Sequence, residues 1–311
     1  MERVARILVA DMKGSVRLRH PMANLTSFKV GGAAGILAEP QGEQDLLVIA
    51  SVIKDLSVRA VVLGRGTNVL MADAGFGGIV IRLGDPFEWI RGSDNFVEAG
   101  GATALPQIAN WAARRSLTGM EFAVAIPATV GGAVRMNAGA HGEAISKVLV
   151  TANVCRLDEA AIEIMDQQSL LMSYRDTALG PRDVVCSARF ELIPGDHERI
   201  IQTMTAHRQH RTATQPSEGP NAGSVFRNPP HASAGKLIES ADLKGASVGS
   251  AQISTKHGNF IVAHPGARAQ EIFDLMVQVQ TTVLEKFNIL LIPEVRLIGE
   301  FAGAERLVVD G

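Results

Sequence analysis

The sequence predicts an α+β protein of more than one domain, and three observations lead there. The chain has 311 residues, long for one compact core and comfortable for two or three domains of ordinary size. Two Gly-rich loops, at 64–70 and 126–142, sit among strand-like and helix-like runs. A Thr, Pro, Ser and Gly-rich stretch at 212–220 separates them from a C-terminal part with its own strand and long amphipathic helix. A multidomain enzyme is the expectation.

Composition narrows the class. Hydrophobic residues make up 46% of the chain, charged residues 20%, and the formal net charge is -2, which argues against a nucleic-acid surface. Cys155 and Cys186 are the only cysteines. Each lies in an apolar, strand-like run without partners at metal-ligand spacing, so both read as buried free thiols in a reducing compartment and no metal site is expected. The apolar patch at 7–10 is too short for the core of a secretion signal, and no later run is long enough to span a bilayer. A cytoplasmic protein, without membrane or nucleic-acid partners and acting as a monomer, is expected.

In chain order, Asn24-Leu25-Thr26-Ser27-Phe28-Lys29-Val30 alternates polar and apolar residues and ends on a glycine pair, a pattern that predicts strand and turn. Leu46, Leu47, Ile49, Ile53 and Leu56 recur at helical spacing over 45–56, and 58–63 is a β-branched run. That strand enters Gly64-Arg65-Gly66-Thr67-Asn68-Val69-Leu70. A Rossmann fingerprint needs a third glycine where Val69 stands and a helix starting there, whereas this chain continues through 73–78 into another strand at 79–83. What remains is a loop offering backbone amides and the Thr67 and Asn68 side chains. Residues 96–101 predict a strand, and 105–115 a helix burying Leu105, Ile108, Ala109 and Ala112.

The chain is organised around Ile126-Pro127-Ala128-Thr129-Val130-Gly131-Gly132-Ala133-Val134-Arg135-Met136-Asn137-Ala138-Gly139-Ala140-His141-Gly142. Little side-chain bulk covers its amides, and glycines at positive φ turn successive N–H groups into an anion-binding nest. Together with the 64–70 loop it is suited to grip a pyrophosphate. A tight turn packed on a strand explains the same composition. Strands follow at 148–157 and 183–192, with the polar turn Ser173-Tyr174-Arg175-Asp176-Thr177 between them, then a helix over 198–211. Beyond the linker, residues 234–243, a strand at 259–263 and a long helix at 267–287 make a smaller α+β unit. Ile272, Met276, Val279, Val283 and Phe287 line one face of this last helix, and a Met on such a stripe reads as core.

Two places draw chemical interest. In Asn221-Ala222-Gly223-Ser224-Val225-Phe226-Arg227-Asn228-Pro229 a serine is framed by glycine and an apolar pair. Val225-Phe226 breaks the Gly-x-Ser-x-Gly of a nucleophile elbow, so hydrolysis is not favoured, but a hydroxyl so framed can deliver a proton. Near the C-terminus, Ile289-Leu290-Leu291-Ile292-Pro293-Glu294-Val295-Arg296-Leu297-Ile298 sets one carboxylate in an apolar run. Glu294 then needs either a partner such as Arg296, which shares its face if both lie on a strand, or a raised pKa that keeps it protonated.

These blocks, with Ala234-Gly235-Lys236-Leu237-Ile238-Glu239, occur in an order that resembles the UDP-N-acetylenolpyruvoylglucosamine reductase family over about residues 24–300. The resemblance implies a vanillyl-alcohol-oxidase-like (PCMH-type) FAD-binding domain in two parts, 1–83 and 84–206, the first completed by a C-terminal strand at 293–301. A smaller α+β substrate-binding domain is implied at 207–292. FAD is expected at Gly64, Arg65, Gly66, Thr67, Asn68, Val69, Ile126, Pro127, Thr129, Gly131, Gly132, Asn137, Ala138 and Gly139. The implied reaction takes hydride from NADPH and reduces the enolpyruvyl ether of a UDP-sugar to UDP-N-acetylmuramate. Ser224 matches the family's proton donor, Arg175 and Glu294 the pair flanking the enolpyruvyl group, and Tyr174, Asn228 and His257 fall where substrate contacts are expected.

This chain departs from the family pattern at Ala125 and Ala128, often glycine, and at Thr177, often serine. Only a short connection joins Thr177 to the next strand, which implies the subgroup lacking a long substrate-covering loop. Another flavin oxidoreductase of this fold and a binding module without catalysis are the alternatives. Arg175, Ser224 and Glu294 together speak against the module, since a pure binder needs no proton donor beside an acid.

Overall fold

Apolar strand runs and one-sided helices bury around three hydrophobic clusters. The structure is a computed structural model that describes residues 1–309. The chain divides into two compact units, the first formed by residues 1–19, 35–65 and 77–211, the second by residues 20–34, 66–76 and the chain from 212 onward.

Most of a four-stranded sheet falls in the first unit, in the order Ser15–Pro21, Ala33–Glu39, Phe76–Ile81, Ala60–Val62, the last two parallel. Helix Glu43–Leu56 turns Leu46, Ile49, Ala50 and Ile53 inward, and helix Glu2–Asp11 adds Val4, Ala5 and Leu8 to the same cluster. A five-stranded antiparallel sheet runs Ala161–Asp166, Leu149–Arg156, Asp183–Glu191, Phe96–Gly100, Ile90–Ser93. Cys155, Val184 and Cys186 of its strands, with Leu157 just past the second of them, join the first cluster. Helix Leu105–Ala113 lies with Phe122, Val130, Val134, Val185 and Phe190 in a second one.

In the second unit, helix Ala269–Phe287 buries Ile272, Phe273, Leu275, Met276, Val279 and Val283. That face belongs to the cluster holding the three-stranded sheet Ser247–Val248, Ala251–Ile253, Ile261–Ala263 and the short helix Ala234–Ser240. A separate parallel pair joins Val69–Met71 to Arg296–Ile298, so the segment after the first Gly-rich loop is paired by the returning C-terminal strand.

Three expectations about local structure are corrected. Residues 24–30 are not a strand: a 3-10 turn covers Ala23–Leu25, and Lys29 at φ 59° breaks extension. The alternation reports burial alone, since Phe28 and Val30 enter the second unit's core without a ladder partner. The 126–142 stretch is not simply loop, because Val130–Arg135 is helical. There Gly131 and Gly132 keep negative φ, and positive φ falls on Asn137, His141 and Gly142. Finally, Glu294 precedes the strand that begins at Arg296, so the shared strand face does not exist.

Candidate active site

In the first unit the organising stretch is fixed by a cap. Thr129 Oγ1 accepts the Gly132 N–H at 3.2 Å, satisfying a free donor of the first helical turn. Gly64 lies against this cap, since a Cβ there would stand 2.8 Å from Thr129 Oγ1. Ile126 and Pro127 lead into the cap from the 3-10 helix Glu121–Ala125. After the helix, the Ala138 N–H donates to Ala133 O at 2.8 Å, and Gly139–Ala140 pairs with Glu143–Ala144. His141 and Gly142, both at positive φ, make the hairpin turn between them.

The Tyr174–Arg175 turn is tied to this stretch at three points. Asn137, 5% exposed, donates from Nδ2 to Ser173 O at 2.7 Å and accepts the Ser146 N–H at 2.9 Å. An Arg175 guanidinium nitrogen donates to Gly139 O at 2.8 Å. Thr177 Oγ1 donates to Arg135 O at 2.8 Å, so the threonine retains a hydroxyl contact where the family often has serine. Arg175 itself adopts φ 59° and its guanidinium carbon lies 5.3 Å from the centroid of the exposed Tyr174 ring. The sequence named Asn137, Gly139, Tyr174 and Arg175 in different roles; the fold makes them one cluster.

The second unit assembles the other group. The Glu294 N–H donates to Val225 O at 2.7 Å, next to Ser224. Asn68 Nδ2 donates to Glu294 O at 3.0 Å, and the Arg296 N–H donates to Asn68 O at 3.0 Å. Residues 66–69 of the first Gly-rich loop and the Glu294 backbone are therefore held together, with Val69 opening the parallel strand. Gly66 is obligatory: at φ 66° its Cβ would lie 2.1 Å from Leu25 O. Arg65, exposed, and Gly64 belong to the first unit and Gly66 onward to the second. Asn228 Oδ1 accepts the Ala234 N–H at 2.9 Å at the start of the short helix. His257 Nδ1 accepts the Asn259 N–H at 3.1 Å, and its ring stands edge-on to Phe260. Burial pushes the His257 pKa down, against the opposing pull of Glu239, so the neutral ring is favoured.

These surroundings fit a flavin dinucleotide. Glycines stand where added carbons would collide, and Thr129 caps a helix start beside one of them. Ser27 Oγ and Arg296 Nε, both buried in the second unit, have no hydrogen-bond partner among the described residues, and phosphate or carbonyl oxygens are acceptors for such donors. A cleft of about 610 Å³ beside Trp89, Gln107, Trp111 and Arg114 contains none of the predicted site residues. Among the described residues no cluster of three His, Cys, Asp or Glu side chains is placed to hold a metal, and no helix is long and apolar enough to cross a membrane.

Residues 34–158 match the family model described as an FAD binding domain, and residues 215–298 match the C-terminal domain of UDP-N-acetylenolpyruvoylglucosamine reductase. Fold and site thus define an FAD-dependent oxidoreductase with an FAD-binding domain and a smaller C-terminal α+β module. UDP-N-acetylenolpyruvoylglucosamine reductase of Bacillus subtilis (strain 168) is 40% identical over 301 residues, covering 96% of this chain and 99% of its own. That of Bacillus pumilus (strain SAFR-032) is 38% identical over 302 residues, with 96% and 99% covered. The crystal structure of the Thermus caldophilus enzyme superposes with a TM-score of 0.79 at 33% identity, over 93% of this chain and 100% of that one. The chain belongs to the UDP-N-acetylenolpyruvoylglucosamine reductase family, whose FAD-dependent reduction of the enolpyruvyl UDP-sugar serves peptidoglycan synthesis.

Proposed function

We propose that this chain converts UDP-N-acetylenolpyruvoylglucosamine to UDP-N-acetylmuramate with NADPH as reductant, as a cytoplasmic monomer of the loop-lacking subgroup. Its division into FAD-binding parts 1–83 and 84–206 and a substrate domain 207–292 belongs to the same reading. Bound FAD supplies the hydride. The residues expected to hold it are Gly64 to Val69 on one side and Ile126, Pro127, Thr129, Gly131, Gly132, Asn137, Ala138 and Gly139 on the other.

Each polar residue then has a defined task. Hydride addition to an enol ether beside a carboxylate drives charge onto that carboxylate. Arg175 supplies a fixed cation there, and the carboxyl of Glu294, in its acid form, supplies a hydrogen bond. Ser224 gives its hydroxyl proton to the adjacent carbon, so hydride and proton together saturate the double bond. Tyr174, Asn228 and His257 contact the substrate. A neutral His257 ring whose Nδ1 is already an acceptor carries its proton on Nε2 and can donate from there.

The observation that supports this most directly is the Val225 carbonyl accepting the Glu294 N–H, which keeps the proposed proton donor and acid in adjacent places. The experiment is Ser224→Ala followed through both half-reactions. Flavin bleaching by NADPH should persist while recolouring by the enolpyruvyl sugar falls by on the order of 10²-fold or more. Equal slowing of both steps would contradict the role.

A further inference from the structure

We propose that Asn259 is the positioning residue for Ser224, an inference that rests on the reading of Ser224 as proton donor. Upstream of the serine the nearest bond is local: Gly223 sits at φ 77° and its N–H donates to Asn221 Oδ1 at 3.2 Å, two residues back. Downstream it is fully bonded. The Val225 N–H donates to Asn259 O at 2.9 Å, and Val225 O accepts from Glu294. The Phe226 N–H donates to Asn259 Oδ1 at 2.9 Å, and Phe226 O accepts from Asn259 Nδ2 at 2.8 Å. Three of these four backbone bonds run through Asn259, which is only 3% exposed. The long-range bonds nearest Ser224 therefore lie on its C-terminal side, where Asn259 acts as a pseudo-strand partner, its main-chain carbonyl holding Val225 and its side-chain amide holding Phe226.

The chemistry of that amide is specific. Its oxygen must face an N–H and its nitrogen a carbonyl, and a carboxamide offers both at that spacing without taking up a proton. An ionised aspartate of the same shape keeps the acceptor and turns a second oxygen onto Phe226 O, a repulsive contact in a buried site that only protonation relieves. Val225 and Phe226 must then shift, and Ser224 moves with them. Displacement of a reacting group by about 1 Å costs on the order of 10²-fold in rate. The Asn259 backbone N–H also fixes His257 Nδ1 as acceptor, and a side-chain replacement leaves that bond in place.

The test compares Asn259→Asp, Ser224→Ala and the double variant as FAD-loaded enzymes in stopped flow. Asn259→Asp should bleach with NADPH within about twofold of wild type, recolour with the enolpyruvyl sugar on the order of 10- to 100-fold more slowly, and show a larger solvent deuterium isotope effect on recolouring. The double variant should be no slower than Ser224→Ala alone, because the two residues act as one. Amide exchange at Phe226 should accelerate while the helix 269–287 stays protected. Equal slowing of both half-reactions, unchanged recolouring, or losses that multiply in the double variant would overturn the positioning role. Ser224→Ala recolouring at the wild-type rate would instead remove the proton-donor reading, and the inference with it, whatever Asn259→Asp does. If Asn259→Asp does not fold, Asn259→Ser, which leaves space for a water at the amide position, goes through the same comparison.

Discussion

Glu294 is held through its main chain, by Val225 on one side and Asn68 on the other. A carboxamide in place of its carboxyl keeps those main-chain bonds and the side chain's shape, so the fold and the flavin should be left alone. Glu294→Gln is expected to retain a wild-type flavin spectrum and melting temperature while losing on the order of 10²–10³-fold in recolouring by the sugar, because an amide N–H replaces a far more acidic O–H as the charge-stabilising donor. Loss of bound flavin in that variant would make Glu294 a structural residue instead. The two cysteines give a residue-scale prediction of the opposite kind. Burial raises the Cys155 thiol from 9.0 to about 12 and raises that of Cys186 as well. Because the folded state prefers the neutral thiols, this contribution to stability is complete below the unfolded pKa and is lost as pH climbs from about 9 towards 12. Native protein at pH 8 should resist iodoacetamide at both positions and take up two equivalents in denaturant; alkylation of the native form at wild-type stability would show that the thiols are not enclosed.

At the scale of elements, the helix Val130–Arg135 is short and leans on its cap. Thr129→Ala removes the Oγ1 acceptor of the Gly132 N–H and should cost about 1 kcal/mol. A lowered melting temperature with weakened FAD retention is expected, and Thr129→Ser should restore both; an unchanged titration with FAD would detach the cap from the cofactor. This helix also shows where sequence reading stops. The helix Glu43–Leu56 was legible because one periodicity set its burial, and the strand Asp183–Glu191 because its apolar run is buried almost throughout. Val130–Arg135 carries two glycines and too few turns for a period to register, and only Thr129 three residues before Gly132 hinted at a cap. The strand Ala161–Asp166 was missed because it is an edge strand with most side chains in water. Residues 24–30 misled for the reverse reason, alternating in burial while lying in turns. At the site, motif order proposed the residues, but Asn137 as the tie to the Tyr174 turn and Asn259 as the clamp on Phe226 depend on long-range bonds that no local pattern announces.

Over the whole molecule, the first Gly-rich loop is the informative segment. Gly64 and Arg65 fall in one compact unit and Gly66 to Val69 in the other. A ligand that binds only the folded state stabilises it by about 2.7 kcal/mol at a hundredfold excess over its dissociation constant. Stripping FAD should accordingly lower the melting temperature by about 5 °C or more, and added FAD should restore it in a concentration-dependent way. The proposed cradles act on the diphosphate rather than on the ring, which separates FAD from its fragments. Riboflavin, with the same ring and no phosphate, should leave the melting temperature of the stripped protein unchanged at concentrations where FAD restores it. ADP, with the diphosphate and no ring, should give a partial shift that FAD displaces. Restoration by riboflavin equal to that by FAD would move the binding energy onto the isoalloxazine and leave the glycines of 64–66 and 131–132 as packing residues alone.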